Sequence, residues 1–429
     1  MIFPPEKQAQ RLKWAFESCK NGAWGTEPDG DHDVVCIRAA DFDGQLGRLN
    51  NGDRTLRAID RDTFKKIELR PGDLVLEKSG GGEKQLVGRT ILFDGTTPSV
   101  CSNFLARCRP SRGVEPAFLN YLMLAIYYAR GTFPHIKQST GIQNLDLPSL
   151  LNTRVSIPSL EAQRTIAQFL NEKTTTINRL IEKKRALLER LAERRQTIIT
   201  CAVTKGLNVA TPLKASGVTW LGDIPAHWVV SALGYRYEVQ LGRMLNAERA
   251  YGDHLKPYLR VYDVQWGRIN VDDLPLMDYP PSAQERYRLR PGDLLVNEGG
   301  SYVGRSAIWR GELEECYYQK ALHRLRPLNP QLDTAEFLYF VMEMATKNDV
   351  FIAGGNQTTI DHLTAEQLRH YRFAFPPLEE QNQIVAALST SLRQNEELRE
   401  KISLSIERLE EYRAALITSA VTGDIAGLQ

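Results

Sequence analysis

The amino-acid sequence predicts an α+β protein written twice, in which two mixed units of short strands and helices alternate with two long helices. Three observations predict it. Short motifs recur in the same order in both halves, the offset between copies becomes constant in the back part of each, and a seven-residue apolar beat runs through those back parts.

The recurrence is direct. LRPGDLVLEKSGGG, from Leu69 to Gly82, returns as LRPGDLLVNEGG from Leu289 to Gly300, an offset of 220. IRAADF from Ile37 matches LRVYDV from Leu259, and RCRP ending at Pro110 matches RLRP ending at Pro327. From Pro158 to Thr204 the second copy follows at a fixed offset of 218, IPSLEAQRTIAQFL answering FPPLEEQNQIVAAL and ITCAVT answering ITSAVT. Drift before that point and none after it place variable loops in front and packed helix behind.

In the front parts, Arg-Pro-Gly-Asp at 70–73 and at 290–293 forms a turn opening onto LVL or LLV, a buried strand closed by glycines. AFLNYLMLAIYY and AEFLYFVMEMA carry apolar residues at helical spacing, so each front part is a mixed domain of about 150 residues. In the back parts, Ile177, Leu180, Ile181, Leu187, Leu188, Leu191, Ile198 and Ala202 keep the seven-residue beat, repeated by Leu398, Ile402, Ile406, Leu409 and Leu416. Residues 172–205 hold nine Lys+Arg and four Asp+Glu, and 390–423 hold five and six, so the helices differ in charge as partners do. Two equal halves about an approximate twofold axis bury equivalent faces, which predicts an antiparallel coiled coil. The boundaries read as 1–155 and 209–373 for the domains, and 156–208 and 374–429 for the helical segments.

Composition excludes several classes. With 42% hydrophobic, 25% charged and 8% aromatic residues, the chain is neither fibrous nor largely disordered. The longest apolar stretch, Phe118 to Ala129, is short for a membrane span, and MIFPPEKQAQR lacks the order of a signal peptide, so a cytoplasmic address is expected. Six cysteines without a C-x-x-C pair suggest buried reduced thiols and neither a zinc site nor a disulfide framework. The net charge of +2 hides an asymmetry, because residues 1–210 carry 31 Lys+Arg against 23 Asp+Glu and the remainder 23 against 29. That is compatible with an anionic partner without identifying one.

Two variable domains, each followed by a PxLExQxxIxxxL opening and a long helix ending in ITxAVT, resemble the specificity subunits of type I restriction-modification systems. GVTWLGDIPAHW, Gly217 to Trp228, is similar to the segment with which that family introduces a recognition domain; the first repeat lacks its full counterpart and starts at about Arg11. The resemblance implies that each domain reads one half of a split duplex DNA target, while the helices fix the unread spacer and dock two methyltransferase subunits. A separate restriction and translocase subunit would move and cut DNA, with S-adenosylmethionine, ATP and Mg on partner subunits and no cofactor here. The chain agrees by what it lacks, having no N/D-P-P-F/Y, GxxxxGK[ST] or HExxH motif, so no catalytic residue is assigned. The competing class is a structural adaptor on the same scaffold, binding protein instead of DNA.

The Gly-rich loops Ser79–Arg89 and Gly299–Arg305 both follow a strand and end in Gly-Arg, so Arg89 and Arg305 are the first candidates for phosphate contact. Simple hairpin turns with a solvated arginine would read the same way. Lys78, Ser79, Lys84, Asn297, Ser301 and Tyr302 are candidates for base contact, and most of these positions differ between copies, as two different half-sites require. IKQSTGIQNL and GGNQTTIDHL form a second aligned pair, giving Lys137, Gln138, Gln143, Asn356, Gln357 and Thr358 as further DNA-binding candidates beside the reading as a polar capping loop. Arg38 with Asp41 and Arg260 with Asp263 read as internal ion pairs. Asp73, Glu77 and Lys78 imitate a nuclease cluster, but the second copy has Asp293, Asn297 and Glu298, which loses the lysine and the spacing. The seam from Ile177 to Ala202 is about 40 Å long, and Thr174 to Thr176 before it reads as the place most tolerant of insertion.

Overall fold

In the computed structural model the described residues are 9–43, 47–50, 52–81, 85–139, 141–244, 251–300, 303–351 and 362–428. Eight α-helices lie among them: α1 (Arg61–Ile67), α2 (Pro116–Tyr128), α3 (Leu147–Leu151), α4 (Leu160–Lys205), α5 (Pro281–Tyr287), α6 (Ala335–Lys347), α7 (Ala365–His370) and α8 (Leu378–Thr422). Their starts follow from capping chemistry. Asp60 accepts from the Thr63 amide ahead of α1, Pro116 occupies the first turn of α2, and Thr364 with Gln367 forms a reciprocal capping box at α7. No described helix is long and apolar enough to cross a membrane.

Two compact units result, Met1–Ala186 with Lys401–Gln429, and Leu187–Glu400. The first unit holds an antiparallel four-stranded sheet in the order Phe16–Asn21, Leu105–Pro110, Leu74–Glu77, Thr90–Leu92. A three-stranded sheet, Ser99–Cys101, Asp33–Ile37, Thr55–Ala58, has its first pair parallel. The second unit repeats both: Tyr237–Leu241, Leu322–Pro327, Leu294–Asn297, Ser306–Ile308, and then Tyr317–Tyr318, Leu255–Leu259, Leu276–Asp278. The Arg-Pro-Gly-Asp turns behave as read, with Gly72 at φ 94° and Gly292 at φ 92°, a conformation that an L side chain resists.

Each unit builds its core from both long helices. In the first, Ile166 and Leu170 of α4 meet Ile417 and Val421 of α8 over α2. In the second, Ile199 and Val203 of α4 meet Ile384 and Leu388 of α8 over α6. The helices run antiparallel within each unit: Arg185 bonds Glu410 at 3.0 Å and Arg413 reaches Asn178 in the first, and Asn395 donates to the Leu191 carbonyl in the second. Ile177, Ile181, Leu191, Ala202, Ile402 and Ile406 are buried as the beat predicts. Leu180, Leu187 and Leu398 are not; each is more than two-fifths exposed, because a straight helix of 3.6 residues per turn drifts away from a strict heptad. Thr174 is also corrected, since it is buried and its hydroxyl lies 3.0 Å from that of Tyr121.

The units differ in one filled space. The first has a cavity of about 530 Å³ lined by Gly47, Arg48, Asn120, Asn171, Thr174 and Glu182 among others, and the buried Oδ1 of Asn120 has no hydrogen-bond partner there. In the second, the residue after the aligned Phe-Leu of α6 is Tyr339, whose ring packs on Trp266 with centroids 6.4 Å apart.

Candidate nucleic-acid interface

The site grows from the strand that follows each Arg-Pro-Gly-Asp turn. Asp73 is buried, accepts from the Arg70 amide at 2.8 Å, and takes two bonds from Arg109, Nε at 2.8 Å and Nη2 at 2.7 Å. Asp293 does the same with the Arg290 amide and Arg326, every distance being 2.7 Å. The recurring RPGD and RxRP motifs are therefore two ends of one bidentate clamp. The carboxylate bond holds the Arg109 guanidinium above its ordinary pKa. This clamp, and not a nuclease cluster, accounts for Asp73. Arg38 with Asp41 and Arg260 with Asp263 are internal ion pairs, at 3.0 and 2.8 Å.

At the far end of that strand the two units diverge. Glu77 is buried and bonds Arg89 Nε at 3.0 Å, and the Arg89 side chain is only 14% exposed. Lys78 donates to Asn21 Oδ1 at 3.0 Å, and Ser79 donates to Asn144 Oδ1 at 2.7 Å. Asn144 lies in the hairpin Ile136–Ser139 with Ile142–Leu145, whose second strand also pairs with Ser79–Gly80. On that hairpin Gln138 is exposed and Lys137, 80% exposed, bonds Asp146 at 2.8 Å; this hydrogen bond holds the Asp146 carboxyl below the usual range. Ile142 beside them and Phe104, which accepts from the Lys78 and Ser79 amides through its carbonyl, are each 48% exposed.

In the second unit Asn297 stands where Glu77 does. It is fully buried and donates to the Val261 and Val264 carbonyls at 3.1 and 3.2 Å. Arg305 reaches Gln265. Glu298 replaces Lys78, its amide donating to Ala321, which replaces Phe104. His323, in the place of Ala106, is buried with Nε2 2.6 Å from the Leu363 carbonyl, and burial pushes its pKa below the ordinary 6.5.

Several expectations change in consequence. Ser79, Gln143 and Asn297 are buried and spend their polar groups on the fold, Gln143 accepting from the Val87 amide at 3.2 Å. Arg89 and Arg305 are tied to partners inside their own units, so neither stands as an isolated solvated guanidinium. Lys78, Lys137 and Gln138 come together at one end of the first unit. Lys84, Ser301, Tyr302, Asn356, Gln357 and Thr358 lie outside the described residues. Asn21, Asn144 and Phe104 were missed; Asn144 sits inside a motif already singled out, while nothing in the sequence marks Asn21 or Phe104.

The family model for the type I restriction modification DNA specificity domain matches residues 52–190 and 227–408. The chain belongs to that family. As a specificity subunit it works within a type I restriction-modification complex, with DNA and other subunits. It is 21% identical over 406 residues to the EcoKI specificity subunit of Escherichia coli K12, covering 92% of this chain and 83% of that one. To a putative specificity subunit, MjaX, of Methanocaldococcus jannaschii it is 28% identical over 174 residues, 40% of this chain and 41% of the relative. Among solved structures, a chain from a study of complex assembly and conformational transition of the type I R-M system matches with TM-score 0.72 at 18% identity, covering 99% of both. The HsdS subunit of Thermoanaerobacter tengcongensis matches with TM-score 0.54 at 19% identity, covering 99% of this chain and 98% of that one. These last two likenesses speak for the fold.

Proposed function

We propose that the front domain of each unit, residues 1–155 and 209–373, reads one half of a split duplex target with the end of its sheet where Lys78 or Glu298 stands. One observation carries this reading: the two units keep one strand frame and one Asp-Arg clamp while changing the side chains at that end. A shared frame with different reading chemistry suits two different half-sites. Lys78, Lys137 and Gln138 are the first unit's contacts, Lys137 exchanging Asp146 for phosphate. Arg89 and Arg305 act through Glu77 and Gln265, which they bond, as positioning residues. The chain itself neither methylates nor cuts DNA; two methyltransferase subunits bind to it, and S-adenosylmethionine, ATP and Mg belong to those and to a restriction subunit in the cytoplasm.

Methylation mapping in cells tests it. Exchanging residues 1–155 for another such domain is expected to alter one half-site only, and a change in both halves would overturn the reading. Lys137→Ala is expected to weaken duplex binding by the assembled complex and to lower the salt slope by about one unit, as for one lost phosphate contact. An unchanged slope would take the hairpin out of the interface.

A further inference from the structure

We propose that Trp14 and Tyr235 anchor two copies of one partner protein, one copy on each unit. The inference rests on the reading that two identical subunits dock on this chain. Both residues sit in a 3-10 turn that opens the first strand of the four-stranded sheet, Leu12–Ala15 and Leu233–Tyr235. The turns are fixed alike: Leu12 and Leu233 are fully buried, and their amides donate to the Thr153 and Tyr371 carbonyls, each at 2.9 Å. Around these leucines the sequences RLKWAF and ALGYRY have diverged, yet an aromatic residue follows two positions later in both. Trp14 is 63% exposed and Tyr235 82%.

A second recurrence adjoins the first. Arg154 and Arg372 occupy matching places on the strand paired with the residues just before each turn, opposite Arg11 and Ala232, and both are exposed. Lys13 adds an ammonium 4.8 Å from the Trp14 ring centroid. An exposed Trp or Tyr beside an Arg is the composition of a protein-protein hot spot, in which the ring fills a cleft and the guanidinium meets a carboxylate. The partner surface therefore carries a cleft for an aromatic ring next to an acidic group.

Position within each unit separates this surface from the DNA-reading end. Trp14 precedes the strand Phe16–Asn21, and Asn21 at its other end holds Lys78. At about 3.3 Å per residue the two ends are roughly 20 Å apart. Tyr235 precedes Tyr237–Leu241 in the same way. What differs between the units lies at one end and what recurs lies at the other. Different half-sites require the first, and two copies of one protein require the second. Duplex DNA fits the recurring end poorly, because its bases are already stacked and an exposed ring gains stacking chiefly on single strands.

The test is to co-purify the full chain with its cognate methyltransferase subunit and count subunits by native mass spectrometry. Wild type is expected to hold two. Trp14→Ala and Tyr235→Ala are each expected to hold one at concentrations that saturate wild type, with affinity at the altered site reduced about 30-fold or more, and the double variant none. Arg154→Glu and Arg372→Glu, which leave the turn residues unchanged, are expected to repeat the pattern, and exchange protection of the Leu12 and Leu233 amides equal to wild type in all four variants excludes a disturbed turn as the cause. Variants that keep two methyltransferase subunits at unchanged affinity overturn the proposal. So does a double variant that assembles normally but loses duplex affinity, which would assign these rings to DNA. A wild-type chain that captures no methyltransferase subunit overturns the docking reading, and this proposal with it.

Discussion

The first unit closes the end of its central strand with an ion pair, Glu77 to Arg89, whereas the second closes the same place with a neutral amide, Asn297, bonded to two backbone carbonyls. Just before the same strand the units agree, Asp73 with Arg109 and Asp293 with Arg326. The fold is fixed at the start of this strand and free at its end. A carboxylate buried beneath a turn needs its bidentate partner, so that clamp persists through divergence. Nearer the loops either an ion pair or a neutral amide serves, and the surface chemistry beyond it changes too.

The largest expected effect tests the clamp. Asp73→Ala and Asp293→Ala each remove the buried carboxylate of the clamp and leave a partly exposed guanidinium without it, and are expected to destabilise their own unit by about 2–3 kcal/mol, read as lost hydrogen-exchange protection in that sheet. A marked inequality between the two would break the equivalence drawn above. The next effect separates the units by pH. His323 is held neutral in the folded second unit, and Ala106 in the first has nothing to titrate. Its folded-state pKa lies below the unfolded value, so unfolding takes up a proton, and stability present above pH 6.5 is lost as pH falls below it. Exchange protection, followed from about pH 7.5 to about 5, is expected to weaken selectively around Leu322–Pro327 as pH falls, and His323→Ala to remove that slope whatever it does to absolute stability. The smallest effect concerns the cavity. Asn120→Tyr, copying Tyr339, is expected to stabilise the first unit by about 1 kcal/mol, seen in thermal melting; a loss of stability would show that the two spaces are not equivalent.

The repeated architecture was legible because it rests on motifs whose chemistry is local: the glycine of a turn, the apolar run after it, and the constant spacing of a packed helix. The clamp was half legible, since RPGD and RxRP were both visible as repeats but their union depends on strands that meet only in the fold. The loops were least legible. Ser79, Gln143 and Asn297 look like polar reading residues in the sequence, and only the strand register shows that they face inward. The exposed leucines of α4 and α8 mark the limit of heptad reading, which assigns a face without knowing how far a straight helix follows its partner.

One feature of the helices bears on inheritance. The α4 helix belongs to the first repeat, yet Ile166 and Leu170 serve the core of the first unit while Ile199 and Val203 serve the core of the second. The α8 helix is shared in reverse, Ile417 and Val421 supplying the first unit and Ile384 and Leu388 the second. A gene segment carrying one repeat therefore does not encode one folded body. A crossover that replaces residues before Pro158 delivers a new front domain onto helices already in place, but a break within α4 or α8 mismatches two hydrophobic cores at once. Recombination is expected to leave its junctions at the ends of the long helices, and a half-length product to persist only where another chain lends the missing helix.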